Sequence, residues 1–285
     1  MRKWLLGVFS VAGLVLLILF LSAVFSGRLI LPQYFSVGPL VVHYYGLTMA
    51  AAVALGFYLA IKRAPLYGLN ANDGENILFW ITIFGFIGAR LYHVASSYTY
   101  YAAHPLDIIK VWNGGLSIYG AVFGGLLVLW FCKKTYKLPP TSYKLFNWLT
   151  PSLIIGQIIG RFGNMFNYEA FGYPTSLPWK MFVPQQFRPE MFEQFKFFHP
   201  WFLYEQIGLL VIFFVITRLR KLQNLHLFLY YLLLYNTLRF GLEFLRIDST
   251  FIGSFRLNAI VSLALAIIAG AMIIFVGKDD KIVRQ

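Results

Sequence analysis

The chain has 285 residues, of which 59% are hydrophobic and 19% aromatic, while 12% carry a charge. Soluble globular domains carry about 25% charged residues, so this composition excludes a soluble enzyme and a disordered tail and predicts a membrane protein. The formal net charge is +13, and the single cysteine, Cys132, excludes a disulfide framework and a cysteine-based metal cluster.

Apolar segments close to the length of about 20 residues that a helix needs to cross a bilayer follow one another along the chain. We predict eight spans, at residues 4–25, 40–61, 77–95, 116–132, 145–159, 201–217, 225–245 and 257–276. The fold class is therefore an all-α polytopic membrane protein. Residues 1–33 form an N-terminal anchor helix, whose apolar run exceeds the roughly 7–15 residues of a signal-peptide core, so we expect it to remain uncleaved. Residues 34–285 form one helical membrane domain.

Basic residues cluster in alternate connections between these spans. The clusters are Arg2 with Lys3, Lys62 with Arg63, and those within 133–144, 218–221 and 278–284. The positive-inside rule places such clusters in the cytoplasm, so both termini are expected there. The basic excess then sets orientation, and no nucleic-acid partner is needed to explain it.

The longest connection runs from about residue 161 to residue 200 and faces outward in this topology. It contains five prolines and many aromatic residues. That much Phe and Trp would not sit free in water, so we expect an ordered cap with short elements at the membrane interface. Long ordered loops of this kind often carry active sites.

A polar stripe runs along the seventh span. Tyr235, Arg239, Glu243 and Arg246 follow one another at steps of 4, 4 and 3, which places them on one helical face. Each Arg in a span costs about 2.5–3.5 kcal/mol, so these side chains should face a cavity and pair, Arg239 with Glu243. Two arginines for one glutamate leave positive charge for an anion. The alternative is a structural ion pair that locks helix packing.

The segment 160–172 has a high density of polar residues among small ones. Arg161, Asn164 and Glu169 stand between glycines that include Gly172. A guanidinium binds phosphate through two parallel hydrogen bonds, so Arg161 with Arg239 or Arg246 would suit a phospholipid phosphodiester. The alternative is a glycine-capped helix end with an interfacial Arg161.

Further polar groups stand where other spans begin, on the same outward side. They are His43 with Tyr45, Tyr119, and His199 with Glu205. Neighbouring aromatic residues are interpreted instead as members of an interfacial belt: Tyr44, Tyr204 and Trp201.

Arg90 and several glycines receive separate interpretations. Arg90 is expected either to line the same cavity or to pair with Glu169. Close helix packing explains a set of glycines without implying chemistry: Gly85, Gly88, Gly120, Gly124, Gly156 and Gly160.

Five motifs in a fixed order give the chain a family resemblance. They are FSVGP at 35–39 with HYYG at 43–46, WNGGLS at 112–117, the segment 160–172, HP at 199–200 with LYE at 203–205, and YNTLR at 235–239 continuing through Glu243 and Arg246. Together they resemble the phosphatidylglycerol:prolipoprotein diacylglyceryl transferase family from about residue 34 to the C-terminus. The resemblance implies seven spans around a cavity open sideways to lipid, so residues 4–25 would be an additional helix.

The resemblance also implies an activity. The sn-1,2-diacylglyceryl group of phosphatidylglycerol would pass to the lipobox cysteine thiol of a preprolipoprotein, the first step of lipoprotein maturation, with release of glycerol 1-phosphate. It implies a bacterial plasma membrane, a site toward the outer leaflet, contact with membrane lipids, and neither metal nor cofactor. A transporter or flippase with an outward anion or lipid site is the alternative function, since it too needs intramembrane arginines facing a cavity.

Roles for individual residues follow from the resemblance combined with residue chemistry. Phosphate binding falls to Arg161 and Arg239, and proton transfer to Tyr119 or His43. The family often has His where this chain has Tyr119. The remaining site residues orient substrate, balance charge or complete the phosphatidylglycerol site: Tyr45, Asn164, Tyr235, Glu169, Glu243, Gly172, Arg246 and His199.

Overall fold

The computed structural model describes residues 2–135, 144–219 and 226–282. Helices dominate this part of the chain: α1 (Arg2–Phe25), α2 (Tyr44–Arg63), α3 (Ala71–Ser96), α4 (Tyr98–Ala103), α5 (Ile118–Thr135), α6 (Lys144–Asn167), α7 (Trp201–Leu219), α8 (Leu227–Glu243) and α9 (Leu257–Ile282). Short strands form three antiparallel pairs: β1 (Tyr34–Val37) with β2 (Leu40–His43), β3 (Met181–Phe182) with β4 (Phe197–Phe198), and β5 (Phe251–Ile252) with β6 (Phe255–Arg256).

The predicted fold class is confirmed. Four helical stretches within the described residues are long and apolar enough to cross a membrane: Tyr44–Tyr67, Ala71–Ser96, Trp201–Leu219 and Leu257–Phe275. Shorter apolar stretches lie in α1 and α5. Each predicted span overlaps a long helix, and the number of helices that cross the bilayer remains a prediction.

Two predicted boundaries are wrong in ways that matter for the site. Residues 40–43 form β2 rather than the start of a helix, because β-branched valines favour a strand and Gly38, at φ 59°, permits a two-residue reverse turn. Helix α6 continues to Asn167, beyond the predicted end at 159, so Arg161 and Asn164 are helical. Several predicted features lie outside the described residues: the start of the span 225–245, Lys137, Arg220, Lys221 and Arg284.

The chain divides into two compact units, whose boundaries fall within α2 and α6. The first comprises residues 1–54 and 153–285. One part of its core joins the end of α1 to the segment between α6 and α7 and includes Val24, Leu31, Tyr168, Phe171, Met181, Val183, Phe198, Trp201 and Phe202. A second part joins α6, α7 and α8 through Ile154, Ile158, Leu209, Ile212, Ile216, Leu227 and Tyr231.

The second unit comprises residues 55–152. Helix α3 begins where the Asn70 side chain accepts a hydrogen bond from the Asp73 amide at 2.7 Å. The buried Trp148 indole donates to the Ala60 carbonyl at 2.7 Å. Helices α3 and α5 approach through glycines, since a Cβ on Gly88 or Gly124 would meet the backbone of the other helix. This confirms the predicted close packing for the glycines of these two helices.

Candidate active site

A buried carboxylate, Glu205, lies at the centre of the polar cluster in the first unit. Its side chain is 0% exposed, and it receives the Arg161 guanidinium through two contacts, Nε to Oε2 at 2.8 Å and Nη2 to Oε1 at 2.9 Å. The Tyr235 hydroxyl donates to Oε1 at 2.8 Å, and Arg239 Nη1 lies 3.5 Å from Oε2. Three helices therefore supply the cluster: α6, α7 and α8.

Three of the four residues in the predicted polar stripe share a face of α8: Tyr235, Arg239 and Glu243. The predicted helical position of Arg246 is wrong, because α8 ends at Glu243 and Arg246 forms a β-bridge with Gly172. Tyr235 and Arg239 stand one turn apart and both reach Glu205. Arg239 Nη2 also lies 3.5 Å from Glu243 Oε2, which confirms the predicted pair one turn apart. Glu243 is fully buried, and its Oε1 accepts a hydrogen bond from Asn258 at 3.1 Å. The carboxylates thus hold Arg239 between them through two long contacts.

Trp201 is a central member of the cluster. Its indole is completely buried and donates to the Leu242 carbonyl at 2.6 Å. Three guanidinium groups face its ring, with centroid distances of 5.8 Å for Arg161, 4.7 Å for Arg239 and 5.1 Å for Arg246. The predicted interfacial-belt role is therefore wrong for Trp201, because its electron-rich face is buried against cations.

Arg246 has its own carboxylate partner. Its guanidinium binds Asp248 through two nitrogens, with Nη2 to Oδ2 at 2.8 Å. Burial would raise the pKa of Asp248, but the hydrogen bonds and charge of Arg246 outweigh it and hold that pKa below its usual value. The predicted surplus of positive charge, from two arginines for one glutamate, is therefore wrong. Three arginines face three carboxylates here: Arg161, Arg239 and Arg246 against Glu205, Glu243 and Asp248.

Asn164 connects Arg161 to Glu169 on the segment predicted as the strongest signal. Its Oδ1 lies 3.5 Å from Arg161 Nη1, and its Nδ2 donates to Glu169 Oε1 at 2.9 Å. Asn167 also approaches that carboxylate oxygen, at 3.4 Å. The amide therefore presents its oxygen to the cation and its nitrogen to the anion.

The backbone that follows α6 is strained at two positions. Tyr168 has φ 51° and Ala170 has φ 53°, a region that side chains with a Cβ rarely adopt and that costs about 1–3 kcal/mol each. Packing holds Tyr168 in place, because its hydroxyl accepts from the Leu31 amide at 2.7 Å and donates to the Leu31 carbonyl at 3.2 Å. The two left-handed residues flank Glu169 and so fix its position.

Gly172 is packed where no larger residue fits. Its amide donates to the His199 carbonyl at 2.9 Å, and a Cβ here would meet the Leu245 carbonyl oxygen and lie 2.9 Å from the His199 Cβ. Gly172 therefore lies where three segments meet: the one that follows α6, the one that leads to Trp201 and the one that contains Arg246. Its predicted place in the site is thus one of close backbone packing.

His199 belongs to a hydrogen-bonded chain beside the cluster. The Trp179 indole donates to the Tyr204 hydroxyl at 2.8 Å, and that hydroxyl lies 2.9 Å from His199 Nδ1. The indole can only donate, so the Tyr204 hydroxyl accepts from it, while the direction of the bond between that hydroxyl and Nδ1 depends on the tautomer of His199. Burial lowers the pKa of His199, which favours the neutral ring.

Tyr45 and His43 lie at the junction of β2 and α2. The Tyr45 ring packs against Gly163 of α6, where a built Cβ would lie 2.7 Å from a ring carbon. The preceding Tyr44 stacks on Phe166 with ring centroids 5.1 Å apart. His43 is exposed, and its ring lies 5.6 Å from that of Tyr34.

In the second unit, Tyr119 lies near the start of α5 and is 55% exposed, with its ring 5.8 Å from that of Tyr92. Arg90 is buried there and uses all five of its donors on backbone carbonyls at 2.5–3.5 Å: those of Asp107, Ile108, Lys110, Gly114 and Gly115. The predicted pairing of Arg90 with Glu169 is therefore wrong, because no donor remains. Arg90 also lines a cavity of about 150 Å³ within this unit, together with His93 and Tyr100.

Comparisons with known proteins decide the family. Residues 32–276 match the family model described as Prolipoprotein diacylglyceryl transferase. The chain belongs to this family. It is 39% identical to the phosphatidylglycerol–prolipoprotein diacylglyceryl transferase of Fervidobacterium nodosum, over 93% of this chain and 92% of that protein. The enzymes of the same name from Thermotoga petrophila and Trichormus variabilis are 40% and 38% identical, over 89% and 81% of this chain and 88% and 84% of theirs.

The extent of these matches bears on the N-terminal segment, on the cluster around Glu205 and on the alternative function. The match with the Fervidobacterium protein covers more of the chain than residues 34–285 could supply, so it includes part of the segment 1–33. The cluster around Glu205 lies entirely within the residues that the family model matches. The family match and the names of the relatives give the transporter alternative no support.

The sequence did not predict two members of the polar cluster, Glu205 and Trp201. Glu205 belongs to the motif LYE at 203–205, for which the sequence predicted no role. An acidic residue early in an apolar span is costly unless it is paired, and this cost could have indicated that Glu205 binds a cation. Trp201, four residues earlier on the same helix, could have been placed on the Glu205 face by helical spacing.

Proposed function

We propose that this chain transfers the sn-1,2-diacylglyceryl group of phosphatidylglycerol to the lipobox cysteine thiol of preprolipoproteins and releases glycerol 1-phosphate. This is the first step of lipoprotein maturation. The observation that carries the proposal is the pair of guanidiniums, Arg161 and Arg239, on one buried carboxylate inside the matched region. The relatives are named for phosphatidylglycerol and prolipoprotein, the two substrates proposed here.

The chemistry requires stabilisation of growing negative charge. In the proposed reaction the cysteine sulfur forms a bond to the terminal glyceryl carbon, and the bond between that carbon and the phosphate oxygen breaks. The phosphodiester, with one negative charge, becomes a monoester that carries the electron pair of the broken bond. Preorganised donors aimed at these oxygens lower the barrier.

Arg161 and Arg239 retain donors for this purpose. Arg161 gives Nε and Nη2 to Glu205, while its Nη1 has a contact of 3.5 Å to Asn164. Both carboxylate contacts of Arg239 are also 3.5 Å long, at the outer limit of a useful hydrogen bond. We assign phosphate binding to these two side chains. Arg246, Gly172 and the buried carboxylates keep them in position through ion pairs and backbone packing.

The thiol proton needs an acceptor, because the thiolate is the reactive form of cysteine. We propose that Tyr119 or His43 takes this proton. Tyr45 and Asn164 then orient substrate, while Tyr235 orients Glu205 through its hydrogen bond. Glu169 and Glu243 balance the charge of the arginines, and His199, as a neutral ring, completes the lipid site.

We further propose a location and a domain organisation. The protein lies in a bacterial plasma membrane with both termini cytoplasmic and the site toward the outer leaflet, where segment 161–200 forms a cap. Residues 1–33 are an uncleaved anchor, and residues 34–285 form the seven-span transferase. The anchor is supported by packing, since Val24 is buried and the Phe25 ring lies 6.4 Å from that of Phe202.

A direct assay tests the function. The purified protein in detergent is incubated with phosphatidylglycerol and a synthetic lipobox peptide, and a mass gain of one diacylglyceryl group on the peptide is expected. A peptide with serine in place of cysteine should gain nothing. Arg161→Ala should reduce transfer by at least about 100-fold, whereas Arg218→Ala, at an exposed position on α7, should not. Near-normal transfer by Arg161→Ala would refute the phosphate-binding role.

A further inference from the structure

The hairpin formed by β1 and β2 precedes the candidate site and has a defined register. Tyr34 pairs with His43 and Ser36 with Val41, and the turn consists of Gly38 and Pro39. Gly38 at φ 59° in the first turn position is what a tight type II′ turn requires. The hairpin is therefore a locally specified structure.

One edge of this hairpin has unused backbone groups. The Tyr44 amide donates to the Gln33 carbonyl at 3.0 Å, which extends the ladder and fixes its alternation. Phe35 and Val37 consequently bond across to β2, whereas Tyr34 and Ser36 direct their N–H and C=O groups away from it. Among the described residues, no backbone partner meets these outward groups on β1.

The side chains beside this edge are apolar and exposed. On β1, Tyr34 is 54% exposed, Phe35 38% and Val37 61%. An unpaired edge with apolar neighbours pairs readily with another extended chain. It cannot lie in hydrocarbon with its groups unsatisfied, because no water is available there. Its chemistry thus fits an apolar peptide that brings its own unpaired backbone.

The hairpin is continuous with the candidate site. Helix α2 begins immediately after β2, and the Phe35 ring lies 5.4 Å from that of Tyr44, which in turn stacks on Phe166. Phe166 lies on the last turns of α6, which also carry Arg161. The hairpin that would carry an added strand is therefore connected through these ring contacts to the helix end that bears Arg161.

We propose that the outer edge of β1 is the docking site for the preprolipoprotein, whose extended lipobox segment adds to the hairpin as a third strand. The inference rests on the proposed function for the identity of the peptide. Backbone hydrogen bonds to Tyr34 and Ser36 supply affinity, and alternate peptide side chains meet the apolar residues of β1.

Matched proline variants test the edge. Ser36→Pro removes an outward N–H without touching the ladder, and Val41→Pro does the same on β2, in the opposite position of the same pair. We expect Ser36→Pro to raise KM for the lipobox peptide about fivefold, with Val41→Pro within about twofold of the parent chain. Unchanged KM in Ser36→Pro would overturn the proposal, as would a rise in KM for phosphatidylglycerol alone, which would identify a lipid surface.

A second measurement uses the unaltered protein and does not depend on variant folding. Successive backbone amides of the peptide are N-methylated, and a strand pairing predicts alternation, with every second methyl group weakening binding. A flat profile would overturn the proposal even if the proline variants lose stability.

Fluorescence anisotropy with a serine-substituted peptide separates this inference from the proposed function. If the parent chain binds that peptide and shows the alternation but transfers no diacylglyceryl group to the cysteine peptide, the function fails and the docking site stands. If transfer occurs without alternation, the docking site fails and the function stands.

Discussion

Replacement of Glu205 by glutamine tests the centre of the site. The carboxylate is 0% exposed and makes four contacts at 2.8–3.5 Å, with Arg161, Tyr235 and Arg239. Removing one partner of a buried ion pair costs about 3–5 kcal/mol. Because glutamine keeps one acceptor oxygen at the same place, we expect a loss of about 2–3 kcal/mol in the free energy of unfolding.

The effect on transfer should differ between kcat and KM. Glu205→Gln frees the guanidiniums from a competing negative charge, so KM for phosphatidylglycerol should not rise. It also releases Arg161 from its two-point contact, and loss of one oriented donor typically costs about 100-fold to 1,000-fold in kcat. We therefore expect kcat to fall at least about 100-fold.

The assay is peptide mass gain at varied phosphatidylglycerol concentration, on protein whose fold is checked by thermal denaturation. Glu190→Gln makes the same change at an exposed position in the segment before α7 and should leave both constants unchanged. A kcat within about threefold of the parent chain in Glu205→Gln would refute the view that this carboxylate orients Arg161. A large rise in KM at constant kcat would refute it equally, because it would assign Glu205 to ground-state binding.

Three further changes probe the surroundings of the cluster. Gly172→Ala places a methyl group against backbone, so thermal denaturation should show a loss of about 1–3 kcal/mol and transfer should fall with it. Trp201→Phe removes the indole donor and weakens contact with three guanidiniums, so KM for phosphatidylglycerol should rise severalfold. The lowered pKa of Asp248 contributes stability that is complete above about pH 4 and is lost as pH falls through its folded value. Asp248→Asn should remove this part of the acid dependence of thermal stability.

Controls for these changes come from the same chain. Gly241→Ala, where nothing lies within 4 Å of a built Cβ, should be neutral or stabilising, and Trp130→Phe changes an indole that is 60% exposed. Equal losses in Gly172→Ala and Gly241→Ala would contradict the packing explanation. An unaltered KM in Trp201→Phe, or an acid dependence that persists in Asp248→Asn, would contradict the corresponding contact.

What the sequence predicted well depends on local periodicity. The helical repeat places Tyr235, Arg239 and Glu243 on one face whatever the rest of the fold does, and the pair of Arg239 and Glu243 followed directly. Glycines within apolar helices predicted close helix packing, and the structure shows that the partners are α3 and α5. The spacing of residues on one face needs the conformation of one helix only, whereas the identity of the packing partner does not follow from it.

What it missed depends on contacts far apart in the chain. Glu205 meets Arg161 across 44 positions and Tyr235 across 30, and no spacing rule joins them. Trp201 was predicted as an interfacial aromatic residue, because the sequence does not show that residues of α6 and α8 contact its ring. Arg90 was expected to line the outward cavity or to pair with Glu169, but one loop satisfies its donors with backbone carbonyls, which sequence patterns do not reveal.

The balance of charge in the cluster has a consequence for catalysis under the proposed function. A site with surplus positive charge would bind the phosphodiester tightly in its ground state, which by itself does not accelerate the reaction. Here each arginine already faces a carboxylate, so the single charge of the substrate meets a nearly neutral group. Arg239, held by two contacts of 3.5 Å, can shorten its bonds as charge grows on the leaving phosphate. Stabilisation then increases along the reaction, which is what transition-state complementarity requires.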